Sequence, residues 1–153
     1  RGFSVLLGPH DSRAMLTQKR KLYGDGLAAA GHVDGDRDLP MARLIALGET
    51  RERATQVARR GAEWLVQSYA GPQHNSVLNH TKNYEGLDPI DFYMKEVIVH
   101  GTPDSVVDQI RALGESVPMN YLLAAPLSRE TFTLLTDKVV PHVATPSRSL
   151  SAA

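Results

Sequence analysis

Residues 41–69 read "MARLIALGETRERATQVARRGAEWLVQSY". Met41 to Leu47 is an apolar run with one charge, Arg43, inside it. An apolar run of this length suits a strand buried on both faces, as in a parallel sheet. Gly48-Glu49-Thr50 interrupts the run. Beyond it, Ala54, Val57, Ala58, Ala62, Leu65 and Val66 recur at three- and four-residue spacing. That period predicts an amphipathic helix from about Arg51 to Tyr69. Arg51, Arg53, Arg59 and Arg60 lie largely off the stripe and form a solvated face. A buried strand, a tight junction and an amphipathic helix are the repeating step of a parallel α/β fold.

The same step recurs on either side. Upstream, Phe3 to Leu7 is a short apolar run stopped by Gly8-Pro9, and reads as another buried strand. Asp11 or Ser12 can cap a following helix that runs to about Ala30 and stops at Gly31. Leu16, Lys19, Leu22 or Tyr23, and Leu27 give it an imperfect stripe. Downstream, residues 70–89 show no period and are long for a connection in a compact domain, which suggests a lid, a binding loop or a disordered insertion. "IDFYMKEVIVH" follows as a helical turn leading into a short extended piece. Thr102 is placed to cap a helix to about Leu113, with Val106, Val107, Ile110 and Leu113 inward. Met119 to Ala125 reads as the last strand. Ser128 is placed to cap a final helix whose Phe132, Leu135, Val139 and Val143 point inward, and residues 144–153 read as a flexible tail. The alternation predicts parallel α/β architecture, doubly wound or barrel.

Composition narrows the functional classes. Lys+Arg and Asp+Glu are both 17 in 153 residues, so no net charge draws the chain to nucleic acid or anionic membrane. The absence of cysteine removes disulfides and thiolate chemistry and is compatible with a cytoplasmic location. No apolar run approaches the roughly 20 residues of a membrane helix.

Several stretches are candidates for chemistry. In residues 97–110, "VIVHGTPDSVVDQI", a glycine separates an extended run from a helix start, the place where many proteins hold a phosphate. Here Pro103 has no N–H to offer and Asp104 puts a negative charge in the first turn, so helix capping is the better reading. The six histidines, His10, His32, His74, His80, His100 and His142, lack the spacing of a metal motif, and no metal is expected. His10 lies just past a strand end, where α/β folds place their ligands, although a solvated loop histidine has the same sequence. Arg43 in a buried strand needs a partner, either a carboxylate of the core or an anion of a substrate or cofactor. No Gly-x-Ser-x-Gly elbow marks a nucleophile.

Three stretches together resemble the bacterial luciferase-like flavin-dependent monooxygenase family, which includes alkane and sulfonate monooxygenases and deazaflavin-dependent reductases. "RGFSVLLGP" resembles that family's sixth barrel strand and its Gly-Pro exit. "LPMARLIALGETRERATQVARRGAEWLV" resembles the seventh strand and its helix. "VIVHGTPDSVVDQIRALGESVPMNYLLAAPLSRETFTLLTDKVVPHV" resembles the closing unit, with the eighth strand and last helix. The resemblance spans most of residues 1–143. It implies the C-terminal half of a (β/α)8 (TIM) barrel, strands six to eight with their helices. It implies FMN or a deazaflavin as cofactor, not necessarily held by this chain alone. The implied activity is oxidation of an organic small molecule with reduced flavin and O2. A non-catalytic partial barrel that binds flavin or a partner chain is the alternative.

A full barrel needs about 250 residues, and three strands alone leave open sheet edges. The chain is therefore expected to be a fragment, to pair with a separate N-terminal half or a second copy, or to be a remodelled partial barrel. The barrel mouth implied by the resemblance comprises Gly8, Pro9 and His10, then Glu49 and Thr50, then Ala125 and Pro126. His10 and Arg43 are the candidates for polar contact with substrate or flavin.

Overall fold

A computed structural model describes residues 3–33, 39–69 and 86–144. The lid or disordered segment expected over 70–89 falls mostly outside these residues, and so does the tail. Three parallel strands form the sheet: β1 (Pro40–Leu47), β2 (Val99–Gly101) and β3 (Tyr121–Pro126), in the order β2-β1-β3. Pro40 to Ile45 stand opposite Tyr121 to Pro126 on one edge of β1, and Ile45 to Leu47 stand opposite Val99 to Gly101 on the other. The extended piece expected before Gly101 is thus a sheet strand.

Phe3 to Leu7 differs from its expectation. Only Leu7 pairs, through a parallel bridge to Met41 bracketed by Leu7 N–H to Pro40 C=O and Ala42 N–H to Leu7 C=O. Phe3 and Leu6 are largely exposed. Among the described residues the run has one strand neighbour, at Leu7, while the Tyr23 hydroxyl donates to the Phe3 carbonyl at 2.8 Å.

Helices cover the two sheet faces unequally. Side chains alternate along β1. Leu44 and Ala46 pack under Val57, Ala58, Ala62 and Leu65 of α2 (Arg51–Tyr69) and under Phe92 and Tyr93. Met41 packs with Leu7, with Leu16 of α1 (Arg13–Ala29) and with Leu113 and Val117 at the end of α4 (Pro103–Ser116). Ile45 and Leu47 pack with Val106, Val107 and Ile110 of α4 and with Leu134, Leu135 and Val139 of the last helical segment. That segment runs through α5 (Arg129–Leu134), a π-helical turn (Leu135–Val139) and α6 (Val140–Val143).

Local chemistry explains most of the boundaries. Ser12, not Asp11, caps α1, its Oγ accepting from the Met15 N–H at 3.3 Å. Ser128 caps α5 by accepting from the Thr131 N–H. Thr102 occupies the N-cap position of α4, but its side chain makes no capping bond. Pro103 at the first helical position presets the backbone and leaves no orphan N–H there, and Asp104 puts a carboxylate in the first turn. Of the two alternatives on α1, Tyr23 packs against the core and Leu22 is exposed, and on α5 the expected inward Phe132 is exposed. On α5 the inward place is taken by buried Thr131, whose Oγ1 accepts from the Leu47 N–H at 3.0 Å and is also within 3.3 Å of the Leu47 carbonyl.

Candidate functional site

The bridge at Leu7 delivers Gly8, Pro9 and His10 to the downstream end of the sheet. There the half-buried His10 meets a short helix, α3 (Pro89–Phe92), which Asp88 caps and which runs on as a π-helical turn, Tyr93–Val97. The Ile98 N–H to Tyr93 C=O bond, 2.8 Å, closes the wide turn. Single π turns are uncommon and recur at functional sites. This one buries Tyr93 to 1% exposure and places its hydroxyl 3.0 Å from His10 Nδ1. The two rings meet edge-on, with centroids 5.8 Å apart, and Phe92 meets Tyr93 edge-on from the chain side. Burial lowers the His10 pKa from its ordinary value, and the adjacent Asp11 carboxylate opposes that shift.

Arg43 ties this arrangement together. It is 1% exposed. Its guanidinium donates from Nη1 to the Asp11 carbonyl at 2.7 Å and from Nη2 to the Glu96 carbonyl at 2.9 Å. Its Nε has no hydrogen-bond partner among the described residues. Two backbone carbonyls thus hold the Nη groups, and the nearby carboxylates of buried Asp11 and of Glu96 support the charge. The cation meets a loop carbonyl and a carbonyl in the last turn of the α3 segment, where a helix favours positive charge. Burial lowers the Arg43 pKa to about 10, with Arg13 adding to the effect and Asp11 and Glu96 opposing it. At neutral pH it remains a cation. Asp11, itself buried, accepts from Lys19 Nζ at 2.7 and 2.8 Å.

The other expected site residues have structural partners. Thr50 Oγ1 accepts from the Arg53 N–H, capping α2, and exposed Glu49 pairs with Lys138 at 3.0 Å. A Cβ at Gly48 would stand 2.6 Å from the Ala54 nitrogen, so the first turn of α2 fills this junction. At Gly101, with φ +151°, a Cβ would meet Ser105 Oγ at 2.9 Å. Neither glycine leaves a cradle for a phosphate. Ala125 is half-buried against the Leu44 cluster. His10 and Arg43 are therefore joined through the Asp11 loop and the π turn, whereas Glu49 and Thr50 make their contacts with Lys138 and α2. Sequence reasoning missed Tyr93. The adjacent aromatics Phe92-Tyr93, in a segment read only as a helical turn before a short extended piece, were the available signal.

No described residues form a cluster of three metal-ligating side chains, and no described helix is long and apolar enough to cross a membrane. No protein-family profile matches the sequence, and no curated protein matches it. Solved structures do. Monooxygenase RslO1 from Streptomyces bottropensis is 20% identical with a TM-score of 0.63, over 92% of this chain and 42% of that one. An F420-dependent secondary alcohol dehydrogenase, solved with an F420-acetone adduct, is 16% identical with a TM-score of 0.65, over 94% and 44%. The oxygenating constituent of 3,6-diketocamphane monooxygenase from Pseudomonas putida, solved with FMN, is 19% identical with a TM-score of 0.62, over 94% and 43%. The likeness is one of fold: this chain is a partial barrel, and it spans less than half the length of the structures it matches.

Proposed function

We propose that the chain is the closing part of a flavin- or deazaflavin-dependent oxidoreductase, a luciferase-like monooxygenase acting on an organic small molecule in the cytoplasm, completed by polypeptide that carries the remaining barrel strands. The observation that carries this reading is the unequal cover of the sheet. The face bearing Leu44 and Ala125 is roofed at its downstream end and bare upstream, where Tyr121, Leu123 and Leu6 are exposed. Closing a barrel would bury that half. A second copy of the chain is the other candidate cover.

The residues present fit part of a flavin. The filled junctions at Gly48 and Gly101 are poor holders for its phosphate, and Arg43 already serves two carbonyls. His10 is half-buried and suits a polar contact with the ring. A bound reduced flavin would supply the redox chemistry. The chain's own contribution is to back the His10 loop with the buried Phe92 and Tyr93 rings and to present the His10 imidazole. In this reading Gly8 and Pro9 shape the His10 turn, while Glu49 and Thr50 line the neighbouring strand exit.

Titration with FMN and with F420, followed by oxygen uptake with reductant, tests the proposal on the chain alone and in complex with any polypeptide encoded beside it. Substrate-dependent oxygen use supports the enzyme. Binding without turnover supports the non-catalytic partial barrel, which the closed glycine junctions favour. Binding of neither cofactor in either form overturns both.

A further inference from the structure

β2 carries an imidazole at its downstream end, where α/β folds place their ligands. The register sets Val99 opposite Ile45 and His100 opposite Ala46, so His100 stands on the roofed face of the sheet. The Ile98 carbonyl lies 3.2 Å from His100 Nδ1. A carbonyl only accepts, so Nδ1 is the donor. The same Ile98 gives its N–H to the Tyr93 carbonyl and closes the π turn, so the ring is tied to a fixed point of the fold. The backbone is held as well. The Gly101 carbonyl accepts from the Gly48 N–H at 3.4 Å, which turns the His100 carbonyl to the other edge of β2. There Gln109 Nε2, from α4, donates to it at 2.9 Å. Gln109 also donates to the Ser105 carbonyl and hydroxyl, both at 3.2 Å. His100 is half-buried, and its Nε2 has no partner among the described residues.

We infer that His100 presents its Nε2 lone pair to the imide N–H of a bound flavin or deazaflavin ring. A neutral imidazole whose proton sits on Nδ1 has one acceptor, Nε2. An acceptor calls for a donor on the ligand. The imide N–H is the ring donor that oxidised flavins and deazaflavins share, so one contact serves either cofactor. Ring and backbone are both anchored before any ligand arrives, so little ordering opposes the new hydrogen bond. The choice of an imide rests on the proposed function; the Nε2 acceptor does not.

Nitrogen-15 NMR of the histidine-labelled chain at pH 8 reads the ring directly, with His100 assigned by loss of its signals in His100→Gln. The expected result is a protonated Nδ1 and an unprotonated Nε2. A protonated Nε2 in the parent chain overturns the inference. FMN and F420 are then titrated into the chain, alone and in complex with any polypeptide encoded beside it. With a cofactor that binds, the His100 Nε2 signal should move upfield in step with occupancy. The 3-methyl derivative of FMN keeps the ring and loses the donor. It should bind the parent about fivefold more weakly than FMN, the scale of one hydrogen bond, and His100→Phe should bind the two flavins alike. A cofactor that binds without moving the Nε2 signal overturns the contact and leaves the proposed function standing. So does a preference for FMN over its methyl derivative that survives in His100→Phe. If that variant does not fold, the Nε2 shift in the parent decides alone. If neither cofactor binds in any form, the contact and the proposed function fall together, and the parent spectrum still decides which nitrogen is the acceptor.

Discussion

At the downstream end of the sheet, Leu44 and Ala46 of β1 and Ala125 of β3 lie beneath α2 and the α3 turn. At the upstream end of the same face, Ala42 is half-exposed, Tyr121 is 56% exposed and Leu123 is 49% exposed. The registers Leu44 to Ala125, Ala42 to Leu123 and Pro40 to Tyr121 place these residues on one continuous surface. The downstream end is roofed by helices of this chain, so its apolar contacts among the described residues are made within the chain. The upstream end has apolar side chains of the kind a barrel interior buries, and among the described residues no helix lies over them. The two ends therefore make different demands on any partner: the first needs none, and the second is where one would act.

Truncating the roof should have the largest effect. Phe92 is 1% exposed and packs on both Leu44 and Tyr93. Phe92→Ala should cost about 3–5 kcal/mol of unfolding free energy in urea titrations. A loss below 1 kcal/mol would mean that the α3 segment is not part of the core, and the contrast between the two ends would disappear.

Next comes the clamp at the same end. Arg43→Met keeps an apolar stem and removes both donors, leaving the Asp11 and Glu96 carbonyls without their partner. The expected loss is about 2–4 kcal/mol, read by the same titration. A neutral or stabilising Arg43→Met would show that the buried cation costs as much to desolvate as its bonds return, as happens at some buried charges.

How much of this was legible in the sequence depends on which neighbours each segment has. β1 and α2 were readable because both are packed by elements of the same chain, so hydrophobic period and burial agree. Phe3 to Leu7 has an equally apolar sequence, yet forms a single bridge, because half of its expected surroundings are not among the described elements. Phe132 failed for a local reason. Thr131 takes the inward position by bonding the Leu47 backbone, and the following π turn adds a residue to the period, so a 3.6-residue stripe slips. Lys19 sits in the stripe of α1 because it reaches buried Asp11. At the site, His10 and Arg43 could be picked out as unusual residues at strand positions. Their connection through two backbone carbonyls and Tyr93 could not, because backbone acceptors carry no sequence signature.

A smaller effect separates the ends by pH. The folded His10 pKa lies below its unfolded value, so the unfolded chain binds more protons once pH falls below about 6.5. His10 therefore weakens the fold progressively as pH drops through that value toward its folded midpoint. Comparing unfolding free energies at pH 7.5 and 5.5, His10→Gln should lose less stability on acidification than the parent. Equal losses would place His10 in ordinary solvated surroundings.

The smallest expected effect on the isolated chain is at the bare end. Leu123→Ser removes an exposed apolar side chain and should change monomer stability by no more than about 0.5 kcal/mol, as for surface positions generally. Its consequence should appear in association instead. If the bare face is where strands from another polypeptide or a second copy close the barrel, the serine variant should weaken that assembly, and sedimentation at several concentrations will read the difference from the parent. Tyr121→Ser should act in the same direction, because its register places it on the same surface. If both variants sediment as the parent does, and the parent is a monomer at every concentration and with every added segment, the upstream face is a true exterior. The chain would then be a remodelled partial barrel and not one part of a closed one.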